Sequence, residues 1–167
     1  MKHQSKTVAF LGVCTALALI LAYLEILLQP LFPTLPGIKM GLPNVIIVFL
    51  LYRRGILAAI GVSFLRILLV TMLFGNAMAL FYSLAGGFLS LLIMILLRRL
   101  KFLSAVGVSV AGAVAHNVGQ ILTAMLVLST VELGYYLVVL TVSGTVAGIV
   151  IGLAGSMLIK KIPAKIV

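Results

Sequence analysis

Aspartate is absent from this chain, and Glu25 and Glu132 are its only acidic residues, set against 12 Lys and Arg. A carboxylate cluster able to hold Mg²⁺, a hard cation that prefers oxygen ligands, therefore cannot be assembled from it. Cysteine is nearly as scarce. Cys14 stands alone inside an apolar run, which excludes an intrachain disulfide and a cysteine-based metal site. No Gly-rich loop ending in Lys-Ser/Thr is present, so ATP hydrolysis is not expected, and no Ser-His-acid or Cys-His arrangement is apparent. Charge of any kind is sparse: 8% of residues are charged and 64% are hydrophobic, a balance outside that of soluble globular domains. At 167 residues the chain has room for a single compact bundle.

The charges that are present fall in short clusters between long apolar runs, at every second gap. Lys2 and Lys6 precede the first run, and Arg53–Arg54, Arg98–Arg99–Lys101 and Lys160–Lys161–Lys165 follow later ones. Lys/Arg excess marks cytoplasmic loops, so these gaps are expected inside and the gaps holding Lys39, Asn76 and Glu132 outside, with both termini cytoplasmic. The formal charge of +10 is thereby explained by topology and by contact with anionic lipid, and no nucleic-acid partner is expected. The first apolar run exceeds a signal-peptide core and lacks a clear cleavage pattern, so it is expected to remain as a span.

A span needs about 20 apolar residues. Six are expected in an all-α membrane domain, at about 7–28, 41–52, 55–73, 77–97, 103–128 and 134–159. The second is too short to cross alone as a straight helix. Pro30, Pro33, Pro36 and Gly37 exclude a continuous helix through 29–40, which makes this the one long external connection and a candidate lid. Small residues mark faces where helices can approach closely: Gly144, Gly148, Gly152 and Ser156 in the last span, and Gly107, Ala111, Ala115 and Gly119 in the fifth. Packing within the bundle is the favoured reading of both. In the first span the pairs Gly12/Ala16 and Ala18/Ala22 could instead meet a partner protein.

Ionisable groups inside a membrane are costly and usually face a cavity or a partner. Arg66 lies about 16 Å from the inner end of its span, by the helical rise. Glu25 stands near the outer end of the first span, and His116, Asn117 and Gln120 lie well along the fifth. Asn76 and Tyr82 belong to the outer half of the fourth span, while Lys39 and Asn44 flank the external loop and the second span. Polar groups from most helices thus fall at one depth, the outer half. The expectation is a pocket open to the outside, with Lys39, Asn44, Arg66, Asn76, Tyr82, His116, Asn117 and Gln120 as ligand-binding residues and Glu25 as a charge partner. Lys39 and Arg66 against Glu25 suggest a ligand with an anionic part, since guanidinium presents a planar fork to carboxylate or phosphate. The bland reading is a structural Arg66–Glu25 pair with His116, Asn117 and Gln120 satisfying one another.

Three segments, Pro36-Gly37-Ile38-Lys39-Met40-Gly41-Leu42-Pro43-Asn44, Tyr82-Ser83-Leu84-Ala85-Gly86-Gly87-Phe88-Leu89-Ser90 and Ala115-His116-Asn117-Val118-Gly119-Gln120, resemble a bacterial family. Its members are called Gx transporter family proteins or component I of heptaprenyl diphosphate synthase. That family in turn is similar to the substrate-binding S components of energy-coupling factor (ECF) transporters, bundles of about six helices that capture small molecules at the outer face. The resemblance implies a multi-pass protein of the bacterial cytoplasmic membrane, working with an ECF-type coupling subunit and ATPases or another partner. It also implies partner docking through Gly12, Ala16, Ala18 and Ala22. Links of some members to quinone and isoprenoid genes and to flavin-based extracellular electron transfer imply a flavin-like or prenyl-diphosphate ligand, with no covalent cofactor. The residues limit this inheritance: without aspartate the chain is not expected to be the condensing enzyme, and no catalytic residue or metal site is assigned. An accessory protein of polyprenyl or quinone metabolism is the alternative. A self-sufficient transporter coupled to protons through Glu25 or His116 ranks last, for want of a partner or an internal repeat.

Overall fold

The structure, a computed structural model, describes residues 2–28 and 41–163. Six α-helices follow in order: α1 (Lys2–Leu28), α2 (Asn44–Arg53), α3 (Ile56–Phe74), α4 (Ala77–Leu97), α5 (Ala105–Leu128) and α6 (Tyr136–Lys161). A 3₁₀ turn at Val131–Tyr135 leads into the last, and no strand occurs among the described residues. All of these helices except α2 are long and apolar enough to cross a membrane, so this is an all-α, multi-pass membrane bundle. The helix ends have local causes. Gly55, at φ +101°, takes the chain from α2 into α3 through a conformation that side-chain-bearing residues resist. Asn76 and Ser104 cap α4 and α5, accepting from the backbone N–H of Ala79 at 2.8 Å and of Gly107 at 3.2 Å.

Small residues let three helices pack backbone to backbone. A Cβ at Gly148 would lie 2.6 Å from Val110 Cα, and one at Gly152 would lie 2.7 Å from Val106 Cα, so α6 rests directly on α5. On the other side of α5, a Cβ at Gly119 would come 2.9 Å from Ala85 O and Gly86 Cα of α4. The glycine ridge of α6 is therefore an internal packing face. On α5 the stripe meeting α4 is Gly112, Ala115 and Gly119, because a Cβ at Gly107 would meet only Leu103 and Ser104 beside its own helix. Gly112 is closed off by Met94, whose Cγ would lie 2.6 Å from a Cβ there.

The centre of one half of the bundle is α2. Its residues Ile46 to Leu51 are all buried, with no exposed stripe, as in a helix surrounded by others. Around them pack Cys14 and Ala18 of α1, Ala59 and Val62 of α3, Leu91 and Met94 of α4, and Val108 of α5. Arg53 donates to Ile159 O and, at 2.5 Å, to Ile162 O, satisfying carbonyls that the end of α6 leaves open. Arg54 donates to Thr7 Oγ1 at 2.7 Å and lies 5.9 Å from the Phe10 ring centre, while Arg98 lies 5.4 Å from that of Tyr52. These contacts gather the start of α1 and the ends of α2, α4 and α6 at one basic end of the molecule.

With 10 residues, α2 rises only about 15 Å, half of a hydrocarbon layer about 30 Å thick. Above its first residue the ring of longer helices continues without it. That half-length helix is what leaves room for a cavity.

Candidate functional site

The cavity has a volume of about 280 Å³ and opens above the N-terminus of α2, in the half of the bundle away from the basic end. Five of the long helices and the start of α2 contribute to it. Glu25 comes from α1, Asn44 from α2, Arg66 from α3, Ser83 from α4, His116 and Asn117 from α5, and Gly144 from α6. Between them the walls are largely apolar.

Glu25 reaches from α1 to the segment that begins α2. Its Oε1 accepts from the Gly41 backbone N–H at 2.8 Å and its Oε2 from that of Leu42 at 3.2 Å. Gly41 has φ +69°, a conformation that favours glycine, and a Cβ there would lie 3.2 Å from Asn44 Nδ2 and Ile151 Cδ1. The carboxylate thereby sits at the positive end of α2, where an anion is favoured. Arg66 is half-buried, and its Nε is enclosed with no hydrogen-bond partner among the described residues. A guanidinium stays charged even here, and Glu25 supplies the opposite charge acting on it.

Asn117 is buried and donates through Nδ2 to Leu140 O of α6 at 2.6 Å. A Cβ at Gly144 would stand 2.6 Å from that same Nδ2, so the glycine makes space for the bond. One polar residue therefore both lines the cavity and fastens α5 to α6. His116 and Gln120 lie against Gly86 of α4: a Cβ there would come 3.2 Å from His116 Cε1 and 2.8 Å from Gln120 Cγ. His116 reaches the cavity from that position.

Of the residues expected at the site, Asn44, Arg66, His116 and Asn117 line the cavity together with Glu25. Asn76, Tyr82 and Gln120 are not among its lining residues. Asn76 is exposed and spends its side-chain oxygen on the cap of α4. Tyr82 is one residue from Ser83, which does line the cavity, and one residue is about 100° around a helix. Gln120 is turned onto Gly86. Lys39 and the expected lid at 29–40 lie outside the described residues.

Ser83 and Thr71 also line the cavity and were not among the expected ligand-binding residues. The i, i+4 pair Ala79 and Ser83 was the available signal for α4, since both face the cavity. Thr71 Oγ1 donates locally to Ile67 O at 2.6 Å. The four small residues of α1 separate. Ala18 and Ala22 are buried, Ala22 against the cavity, so they cannot belong to an exposed docking face, whereas Gly12 and Ala16 are exposed. Among the described residues, no three His, Cys, Asp or Glu side chains come together as a metal site would need.

The sequence profile of the family described as heptaprenyl diphosphate synthase component I matches residues 14–158, from the middle of α1 to the last turns of α6. Among curated proteins, and among solved structures, nothing matches. With nearly the whole chain covered, this membrane protein belongs to the heptaprenyl diphosphate synthase component I family.

Proposed function

We propose that this protein is a membrane-embedded substrate-binding subunit, similar in role to an ECF S component, which captures a small ligand carrying an anionic group. The basic end gathered by Arg53, Arg54 and Arg98 faces the cytoplasm by the positive-inside rule, and the cavity then faces the exterior of a bacterial cell. The observation that carries the reading is the enclosed Nε of Arg66 in the wall of a cavity, with no hydrogen-bond partner among the described residues. A buried donor without a partner is costly, and a ligand carboxylate or phosphate would satisfy it. Asn44, His116 and Asn117 supply directional polar contacts around that anchor, and the apolar walls take the remainder. With no nucleotide-binding loop, energy for translocation comes from a separate coupling subunit and ATPases, and Gly12 and Ala16 on the exposed face of α1 are the surface for that subunit.

Native mass spectrometry of the mildly solubilised protein tests this directly. Wild type should retain a small molecule from native membrane extract, and Arg66→Ala should lose it. Failure of the wild type to retain any molecule would end the capture reading.

A second reading is favoured by one observation, the family's own description. The protein would then be a non-catalytic accessory of polyprenyl diphosphate or quinone metabolism, or of flavin-based extracellular electron transfer. Copurification with a soluble prenyl synthase or an extracellular flavoprotein, and with no ATPase, would favour it.

A further inference from the structure

The basic end of the molecule carries charge that no acidic side chain of the chain answers. Glu25 and Glu132 are the only two in the sequence. Glu25 holds the amides of Gly41 and Leu42 at the start of α2, and Glu132 lies in the 3₁₀ turn between α5 and α6, so both stand at the other end. The cations of the basic end are nevertheless drawn together. Arg53 donates to Ile159 O and Ile162 O, on either side of Lys160 and Lys161, and Arg54 donates to Thr7, next in sequence to Lys6. Like charges gathered in this way repel one another, and an anion from outside the chain relieves the repulsion.

The turn from α4 to α5 supplies a second observation, which selects the source of that anion. Arg99, Leu100, Lys101 and Phe102 are all exposed, Phe102 by 81%, and basic and apolar side chains alternate along them. The turn is fixed by backbone bonds, from the Leu100 N–H to Leu97 O at 3.0 Å and from the Leu103 N–H to Leu100 O at 3.1 Å. Arg98 is held at its start, 5.4 Å from the ring centre of Tyr52. Because the turn follows directly on α4, which is long and apolar enough to cross the membrane, it lies where hydrocarbon gives way to headgroups. At that depth Leu and Phe enter the acyl region while Lys and Arg stay with the phosphates. A free phosphate ion would engage the cations alone, whereas a phospholipid engages both kinds of side chain.

We propose that Arg98, Arg99 and Lys101 bind the headgroup of an anionic phospholipid in the cytoplasmic leaflet, with Leu100 and Phe102 among its acyl chains. The guanidinium forks match phosphate oxygens, and the neighbouring cations on α1, α2 and α6 raise the positive potential that favours a headgroup of net negative charge. The site is at the opposite end of the molecule from the cavity, and it stands whether or not the cavity captures a ligand.

The test uses the full chain in nanodiscs of equal parts phosphatidylglycerol and phosphatidylcholine with identical acyl chains. Native mass spectrometry reads which lipids the ejected protein retains. Wild type should retain phosphatidylglycerol over phosphatidylcholine by about tenfold, as expected for several cations close to an anionic headgroup. Replacing Arg98, Arg99 and Lys101 together by Gln should bring the ratio to about twofold or less. Arg99→Gln with Lys101→Gln alters only exposed side chains, so this pair should fold and should still cut the ratio by about threefold. Phe102→Ser should lower the amount of lipid retained. An excess of inorganic phosphate should leave the retained phosphatidylglycerol in place; its displacement would make this a free-phosphate site and overturn the proposal. A wild-type ratio near one would also overturn it and leave the basic end to an acidic protein partner. So would an unchanged ratio in both Gln variants, which would assign the preference to other cations.

Discussion

Removing the Glu25 carboxylate tests the electrostatic core of the site without any ligand. Glu25→Ala strips the acceptor from two backbone amides, Gly41 and Leu42, and takes away the negative charge acting on Arg66. A hydrogen bond to a charged group contributes about 1.5–3 kcal/mol, and both partners here are only partly buried, so we expect a loss of about 2–4 kcal/mol. For a chain of this length that corresponds to a fall in Tm on the order of 10 °C. Arg66→Ala should cost far less, because the α2 amides still hold Glu25 and a charge has left the membrane interior. In the double variant the uncompensated guanidinium is gone, so the loss should be smaller than the sum of the two by about 1–2 kcal/mol. Thermal unfolding of the four proteins in one mild detergent, followed by circular dichroism, completes the cycle. Additivity within about 0.5 kcal/mol would show that the two residues do not share an electrostatic environment.

Four further outcomes follow from the packing. Gly148→Leu should separate α5 from α6 and lower Tm sharply, by about 1–3 kcal/mol or more of overpacking strain, because even a Cβ there meets Val110 Cα at 2.6 Å. Gly12→Leu, with nothing within 4 Å of the added Cβ, should leave the isolated protein's Tm unchanged and abolish copurification of a coupling subunit. Asn117→Leu removes the bond to Leu140 O and should cost about 0.6–2 kcal/mol, the range of interhelical hydrogen bonds in membranes, while weakening ligand retention; an unchanged Tm would mean that the bond contributes nothing to stability. Arg53→Ala should speed hydrogen exchange in the last turn of α6, where two carbonyls lose their donor, and leave exchange in α5 unchanged.

Depth in the membrane was legible in the chain, and direction around each helix was not. The position of Arg66 along α3, and the placing of Glu25 and His116 well away from the basic clusters, follow from counting residues at 1.5 Å each. Which way a side chain turns depends on helix rotation, and the glycines fix that through close approach. Gly119 against Ala85 and Gly86 sets α4 on α5. In that arrangement Ser83 lines the cavity and Tyr82 does not, and Gln120 is spent on Gly86. Asn76 shows a different ambiguity. A polar residue at a helix start can serve a ligand or a cap, and here it caps. The split between Gly12/Ala16 and Ala18/Ala22 arises the same way, since two small-residue pairs on one helix look alike until the neighbours of each are known.

The least legible feature is the one that makes the site. A run of 10 apolar residues reads as a deficient span, yet α2 is short because it serves as a plug and not as a wall. It fills the basic half with Ile46 to Leu51, and its N-terminus becomes the floor of the space above. A backbone end inside a membrane must have its N–H groups satisfied. Glu25 meets two of the donors just before α2, and the carbonyls of Gly41, Leu42 and Pro43 accept from Asn44, Val45 and Ile46. The same carboxylate that makes the half-helix tolerable in lipid thus places a negative charge opposite Arg66. If the cavity captures a ligand as proposed, stability of the short helix and recognition share one residue, so changes to Glu25 should alter both together, whereas changes to Arg66 should alter recognition with little loss of fold.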